Sequence, residues 1–149
     1  MSDGKTTILI VDDSPLSQRA VTNAANESGL NVIGVCKNGL EALNFLADKH
    51  PSIISIDVIM PVMDGLELHK EILKRYPQQK MIFVTALGND RAFLQSVQDR
   101  IPSWLIVPKP INQLVFNNAV KESLVKPNHI PKKSESPSLE KSKKLDSAA

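Results

Sequence analysis

The chain reads as an α/β protein, an open sandwich in which helices cover both faces of a parallel five-stranded sheet. Three observations predict it. Five apolar runs of four residues recur between residues 8 and 107, nearly free of polar side chains. Such runs suit strands buried on both faces and are too short for helices. Between them lie longer stretches whose apolar residues follow helical spacing, with helix-start signals at their beginnings.

The first run is ILIV at 8–11, followed by Ser14 and Pro15, an N-cap residue with proline at the first helical position. The second, VIGV at 32–35, leads to Asn38 and Glu41 at capping-box spacing, then Leu40, Leu43 and Leu46 along a helix. The third, IISI at 53–56, precedes Asp64 and Glu67 at the same spacing, then Leu66, Ile72 and Leu73. MIFV at 81–84 and WLIV at 104–107 complete five β-α units. Parallel strands need crossover connections, and right-handed crossovers place helices on both faces. Ligands of such sheets bind beyond the carboxyl ends of the strands, where strand order reverses.

Composition fits one soluble domain. The 149 residues are 42% hydrophobic and 23% charged. No apolar run approaches the roughly 18 residues that cross a membrane, and the opening MSDGKTT lacks the layout of a signal peptide. The expected location is the cytoplasm. The single cysteine, Cys36, reads as a small buried hydrophobe. The net charge of +2 divides unevenly. Residues 126–149 hold six lysines against three acids, giving +3, and the remainder holds twelve basic and thirteen acidic groups, giving −1. The organisation expected is a flexible start at 1–6, one domain at 7–125, and a disordered Lys/Ser/Pro-rich tail at 126–149, with a tether or basic docking segment as the functional alternative for the tail.

The residues that close the apolar runs carry the chemistry. They are Asp12 and Asp13, Asp57, Thr85, and, just past the fifth run, Lys109. Each alone has an ordinary reading as a strand-end or solvated group; together they line one rim of one sheet. Three close carboxylates raise one another's pKa unless a cation neutralises them. All-oxygen ligands select hard ions, and so few carboxylates suit Mg²⁺, which keeps coordination free for a phosphate oxygen. With an ammonium and a hydroxyl added, the rim suits transfer of a phosphoryl group to a central carboxylate.

The motifs ILIVDD, IDVIMPVMDG, VTA and PKP, at these spacings over residues 7–125, resemble the receiver domain of bacterial two-component response regulators, most closely the single-domain chemotaxis kind. The resemblance implies a flavodoxin-like (βα)5 sheet of order 2-1-3-4-5. It also implies Asp57 as phosphoacceptor, Asp13 as direct Mg²⁺ ligand, Asp12 as a ligand through water, and the Ile59 carbonyl as the third protein ligand. Thr85 and Lys109 would contact the phosphoryl group, the Lys109–Pro110 bond would be cis, and Gly65 would permit tight entry into the third helix. The implied partners are a histidine kinase and either a downstream target protein or a histidine phosphotransfer protein; no direct DNA binding and no membrane span are expected.

The sequence departs from the family pattern in places. Ile106 stands where many members have a switching tyrosine or phenylalanine. Trp104 is expected to pack at the start of the fifth strand. Pro108 removes a backbone donor, which fits an edge strand. Ile59 and Leu87, two residues after Asp57 and Thr85, flank the expected path of a hydrolytic water. Neither can orient one, so self-dephosphorylation should be slow.

Other classes fit less well. A haloacid dehalogenase-type hydrolase needs a second Asp two residues after the nucleophile, where this chain has Ile59 or Ser14. A flavodoxin-type carrier needs a phosphate loop where the chain has DDSPLS. A receiver-like interaction module that is never phosphorylated would not need the full set of acids, Thr85 and Lys109. His50, His69 and His129 lack metal-ligand spacing, and His69 reads as a partly exposed helical residue.

Overall fold

The computed structural model describes residues 5–127. Five strands form one sheet: β1 (Thr7–Val11), β2 (Asn31–Cys36), β3 (Ile53–Ile56), β4 (Lys80–Thr85) and β5 (Ile106–Pro108). Its order is β2-β1-β3-β4-β5, every adjacent pair parallel. The strands alternate with helices α1 (Pro15–Glu27), α2 (Gly39–Asp48), α3 (Gly65–Arg75), α4 (Arg91–Val97) and α5 (Gln113–Val125). The step from β1 to β2 runs one way across the sheet and every later step the other. Right-handed crossovers therefore put α1 on one face and α2, α3 and α4 on the opposite one. Consistent with that, α1 touches α5 and α2 touches α3. Strand order reverses between β1 and β3.

The apolar runs are the core. Ile8 to Val11 on β1 and Ile53, Ile54 and Ile56 on β3 are fully buried, with Ile82, Phe83 and Phe116 beside them. The run at 32–35 is less buried than its composition predicts. As the edge strand β2 it has a neighbour on one side only, and Val35 is 45% exposed.

Each predicted helix start carries its cap. Ser14 Oγ accepts from Ser17 N–H, Asn38 Oδ1 from Glu41 N–H and Asp64 Oδ1 from Glu67 N–H. These bonds satisfy donors that have no partner in the first helical turn. Asp90 and Asn112 cap α4 and α5 in the same way.

The fifth run needs correcting. The strand begins at Ile106, because Pro102 opens a 3-10 turn over Ser103–Leu105, closed by Leu105 N–H to the Pro102 carbonyl at 3.0 Å. Trp104 lies in that turn rather than in the strand and is 43% exposed. The Lys126 ammonium sits 4.4 Å above its ring centroid. Pro108 ends β5 at the sheet edge, where its missing donor has no ladder to serve. His69 is half-buried on α3, its ring 5.3 Å from that of Phe83, and burial pushes its pKa down to about 4.

Among the described residues no helix is long and apolar enough to cross a membrane. Residues 1–4 and 128–149 fall outside the described range, so the tail reading, apart from Lys126 and Pro127, and His129 lie outside it too.

Candidate functional site

The sheet ladder runs on past the ends of β1 and β3. Asp12 N–H bonds the Cys36 carbonyl at 2.9 Å, and Asp57 N–H bonds the Val11 carbonyl at 3.0 Å. Both aspartates are therefore held by backbone at the reversal point of the sheet, where an open α/β fold places its binding crevice. Asp12 is 1% exposed and Asp57 8%, whereas Asp13, one residue on, points to solvent. Carboxylate oxygens of Asp12, Asp13 and Asp57 lie within 4.8 Å of one another.

Lys109 reaches this cluster from the far side of the sheet. Its Nζ donates to Asp12 Oδ2 at 2.9 Å, Ser17 Oγ at 3.0 Å and Asp57 Oδ2 at 3.1 Å. An ammonium has three hydrogens and no acceptor, so its capacity is full. Burial lifts the Asp12 carboxyl above its ordinary value, opposed by the Ser14 N–H and by Lys109. Burial also pulls on Lys109 from below, but the Asp12 hydrogen bond and the charges of Asp57 and Asp12 win and hold its pKa up. One ammonium among three carboxylates leaves two negative charges uncompensated. The donor set is all oxygen, so the residues present fit a small hard divalent cation.

Thr85 ends β4, fully buried. Its carbonyl accepts from Lys109 N–H at 3.0 Å, tying the ends of β4 and β5 together. Its hydroxyl accepts from Leu87 N–H at 3.1 Å, capping a 3-10 turn over Ala86–Asn89, and makes no hydrogen bond to the carboxylates. Lys109–Pro110 is cis, as the resemblance implies. Ile59 is 60% exposed two residues beyond Asp57.

The β3–α3 connection is tight. A Cβ on Gly65 would lie 2.2 Å from the Asp57 carbonyl oxygen and 2.8 Å from Val58 Cα. Gly65 N–H donates to the Val58 carbonyl at 2.7 Å, pressing the start of α3 against the backbone of Asp57. Just before it, Val62 holds φ at 73° in a turn closed by Met63 N–H to the Pro61 carbonyl at 2.7 Å. That conformation is costly for a β-branched residue.

Two residues escaped the sequence reading. Ser17 is the third acceptor of Lys109, and Gln18 Nε2 donates to the Asp12 carbonyl at 2.6 Å. Both sit in the first turns of α1, and the only local signal was that this helix starts directly after the acid pair. A cleft beside β5 lies elsewhere. It measures about 570 Å³, is lined by Arg91, Leu94, Ile101, Trp104 and Ile106, and includes none of the charged residues of the rim.

Comparison with known proteins agrees with this geometry. The family model described as the response regulator receiver domain matches residues 8–121. Protein-glutamate methylesterase/protein-glutamine glutaminase 3 of Hahella chejuensis is 39% identical over 106 residues, 69% of this chain. The match spans only 30% of that relative's length. The chemotaxis protein CheY of Listeria monocytogenes is 30% identical over 101 residues, covering 68% of this chain and 85% of CheY. The structure of the response regulator TrrA of Thermotoga maritima, in complex with Mg²⁺-BeF, superimposes with a TM-score of 0.66 at 30% identity, covering 80% of this chain and 99% of TrrA. Fold, strand order, acid cluster and family match converge, and the chain belongs to the response regulator receiver domain family.

Proposed function

We propose that this receiver domain takes a phosphoryl group from a histidine kinase onto Asp57 and signals through phosphorylation-dependent binding to a partner protein. The observation that carries the reading is the Lys109 ammonium, shared between Asp12 and Asp57 inside a cluster of three carboxylates. In this reading Asp12, Asp13, Asp57 and the Ile59 carbonyl would hold Mg²⁺. When bound, that ion would neutralise charge on the phosphoryl oxygens during transfer.

The chain's own residues do the rest. A carboxylate oxygen of Asp57 attacks phosphorus as the bond to the donor nitrogen breaks. Asp57 is aimed by its backbone bond to Val11 and by the close approach of Gly65. Lys109, already at 3.1 Å, offers positive charge to the incoming oxygens. The Thr85 hydroxyl has a hydrogen to donate while its lone pair keeps Leu87 N–H. Moving toward a phosphoryl oxygen, Thr85 would tow the 3-10 turn of Ala86–Asn89 and the start of α4 behind it. That coupling needs no aromatic rotamer at position 106, which suits a chain with Ile106 there.

A switch protein of this kind catalyses only its own transfer. Exposed Ile59 and half-buried Leu87 leave a hydrolytic water nothing to hold it, so dephosphorylation is slow. The test is Asp57→Asn: it abolishes labelling by a histidine kinase or by acetyl phosphate with Mg²⁺ present. Continued stoichiometric labelling overturns the assignment. Phosphate passing from Asp57 to a histidine phosphotransfer protein would make the output a relay instead.

A further inference from the structure

Of the three acceptors around Lys109 Nζ, two are carboxylate oxygens that a bound cation would also claim, those of Asp12 and Asp57. The third, Ser17 Oγ at 3.0 Å, is neutral and stands outside the acid cluster. Ser17 is fixed in turn by its place in the first turn of α1, where its own N–H is bonded to the Ser14 cap. Gln18, the next residue, grips the Asp12 carbonyl, so the same helical turn is tied to the end of β1.

We infer that Ser17 is a positioning residue for Lys109, holding the ammonium over Asp57 when the carboxylates are drawn to a metal ion. The inference rests on the phosphoacceptor reading for its functional consequence, but not for its geometry. A lysine side chain has four rotatable bonds and loses much rotamer freedom when fixed. With both carboxylates shared with a divalent ion, the attraction that localises the ammonium weakens and like-charge repulsion pushes it away. A neutral hydroxyl anchored on a helix is then the acceptor that remains. Ser17 makes no hydrogen bond to the carboxylates; it acts through Lys109.

Two measurements test this. The first needs no phosphorylation: hydrogen exchange of the Lys109 ammonium, followed by NMR in the full chain at saturating Mg²⁺. Ser17→Ala, at a partly exposed helical position, should raise that rate by about fivefold, because one of three acceptors is lost. An unchanged rate overturns the tether. The second is the rate of labelling by acetyl phosphate at saturating Mg²⁺. Ser17→Ala should slow it by about tenfold, the scale of one hydrogen bond to a charged group, and Ser17→Thr should restore it to within about twofold. In a Lys109→Met background the Ser17→Ala change should add less than about twofold, since its target is gone. An effect of full size in that background would assign Ser17 a merely structural role and overturn the inference. If the wild-type chain takes no label while Ser17→Ala still speeds exchange, the phosphoacceptor reading fails and the hold of Ser17 on Lys109 stands.

Discussion

The two sides of the sheet are built differently. At the β1–β3 end, the carboxylates grow out of fully buried strands and are held by ladder hydrogen bonds that continue through Asp12 and Asp57. At the β4–β5 end, Ile106–Pro108 is a three-residue strand, α4 is seven residues long, and two 3-10 turns, Ala86–Asn89 and Ser103–Leu105, fill the connections. A cleft of about 570 Å³ opens on that side, rimmed by Trp104. A site that must hold charges at fixed distances sits where the backbone is most constrained. Under the proposed function, a readout that has to move would lie at the other end, among the shorter elements.

The contrast can be broken most severely at glycine. Gly65→Ala drives a methyl group into the Asp57 backbone at the rigid end, whereas Gly88→Ala meets Pro108 Cα at 2.5 Å at the compliant end. Gly65→Ala should cost about 3 kcal/mol in urea unfolding, the upper range for overpacking, and Gly88→Ala about 1 kcal/mol. Equal costs would show that the two ends are equally stiff.

A pH titration probes the seam between them, where His69 of α3 packs on Phe83 of β4. Burial holds the folded pKa at about 4, below its ordinary value of 6.5. The unfolded chain therefore binds the proton more readily, and stability present above pH 6.5 is lost as pH falls toward 4. The loss reaches about 3 kcal/mol if the whole shift is realised. His69→Leu should flatten the wild-type slope between those limits; an unchanged slope would remove the histidine as its source.

A smaller effect concerns the phosphorylated form. Ile59→Asn and Leu87→Glu give a hydrolytic water polar partners, one from each side of the contrast, and each should speed loss of phosphate by about tenfold, or ~1.4 kcal/mol of barrier. Retention of the wild-type lifetime in both variants would discard the account of slow hydrolysis. The smallest effect belongs to the exposed Trp104. Lys126→Ala removes the ammonium above its ring and should cost no more than about 1 kcal/mol while changing the fluorescence of this lone tryptophan. A larger loss would make the β5 side stiffer than its short elements indicate.

Much of this molecule is written locally. ILIV, IISI and MIFV announce interior strands because a strand buried on both faces must be apolar along its length. Ser14, Asn38 and Asp64 announce helix starts because a cap needs a side-chain oxygen within three residues of the donors it satisfies. The run at 104–107 misled because nothing in WLIV itself records that Pro102 opens a 3-10 turn beneath it, and the exposure of Val35 depends on which strand lacks a neighbour.

The apolar runs, the caps of α1, α2 and α3 and the set of polar residues on the rim are legible in the sequence, since each depends on neighbours within a few positions. How those polar residues meet depends on the packing of segments far apart in the chain. Lys109 finds Asp12, Ser17 and Asp57 across separations of 97, 92 and 52 residues. Strand order alone makes them neighbours, and no local pattern encodes which hydroxyl on α1 will face the lysine. Charge type can be read from a string of letters, but the distances that turn three carboxylates, an ammonium and a serine into one device come from the packing of the sheet.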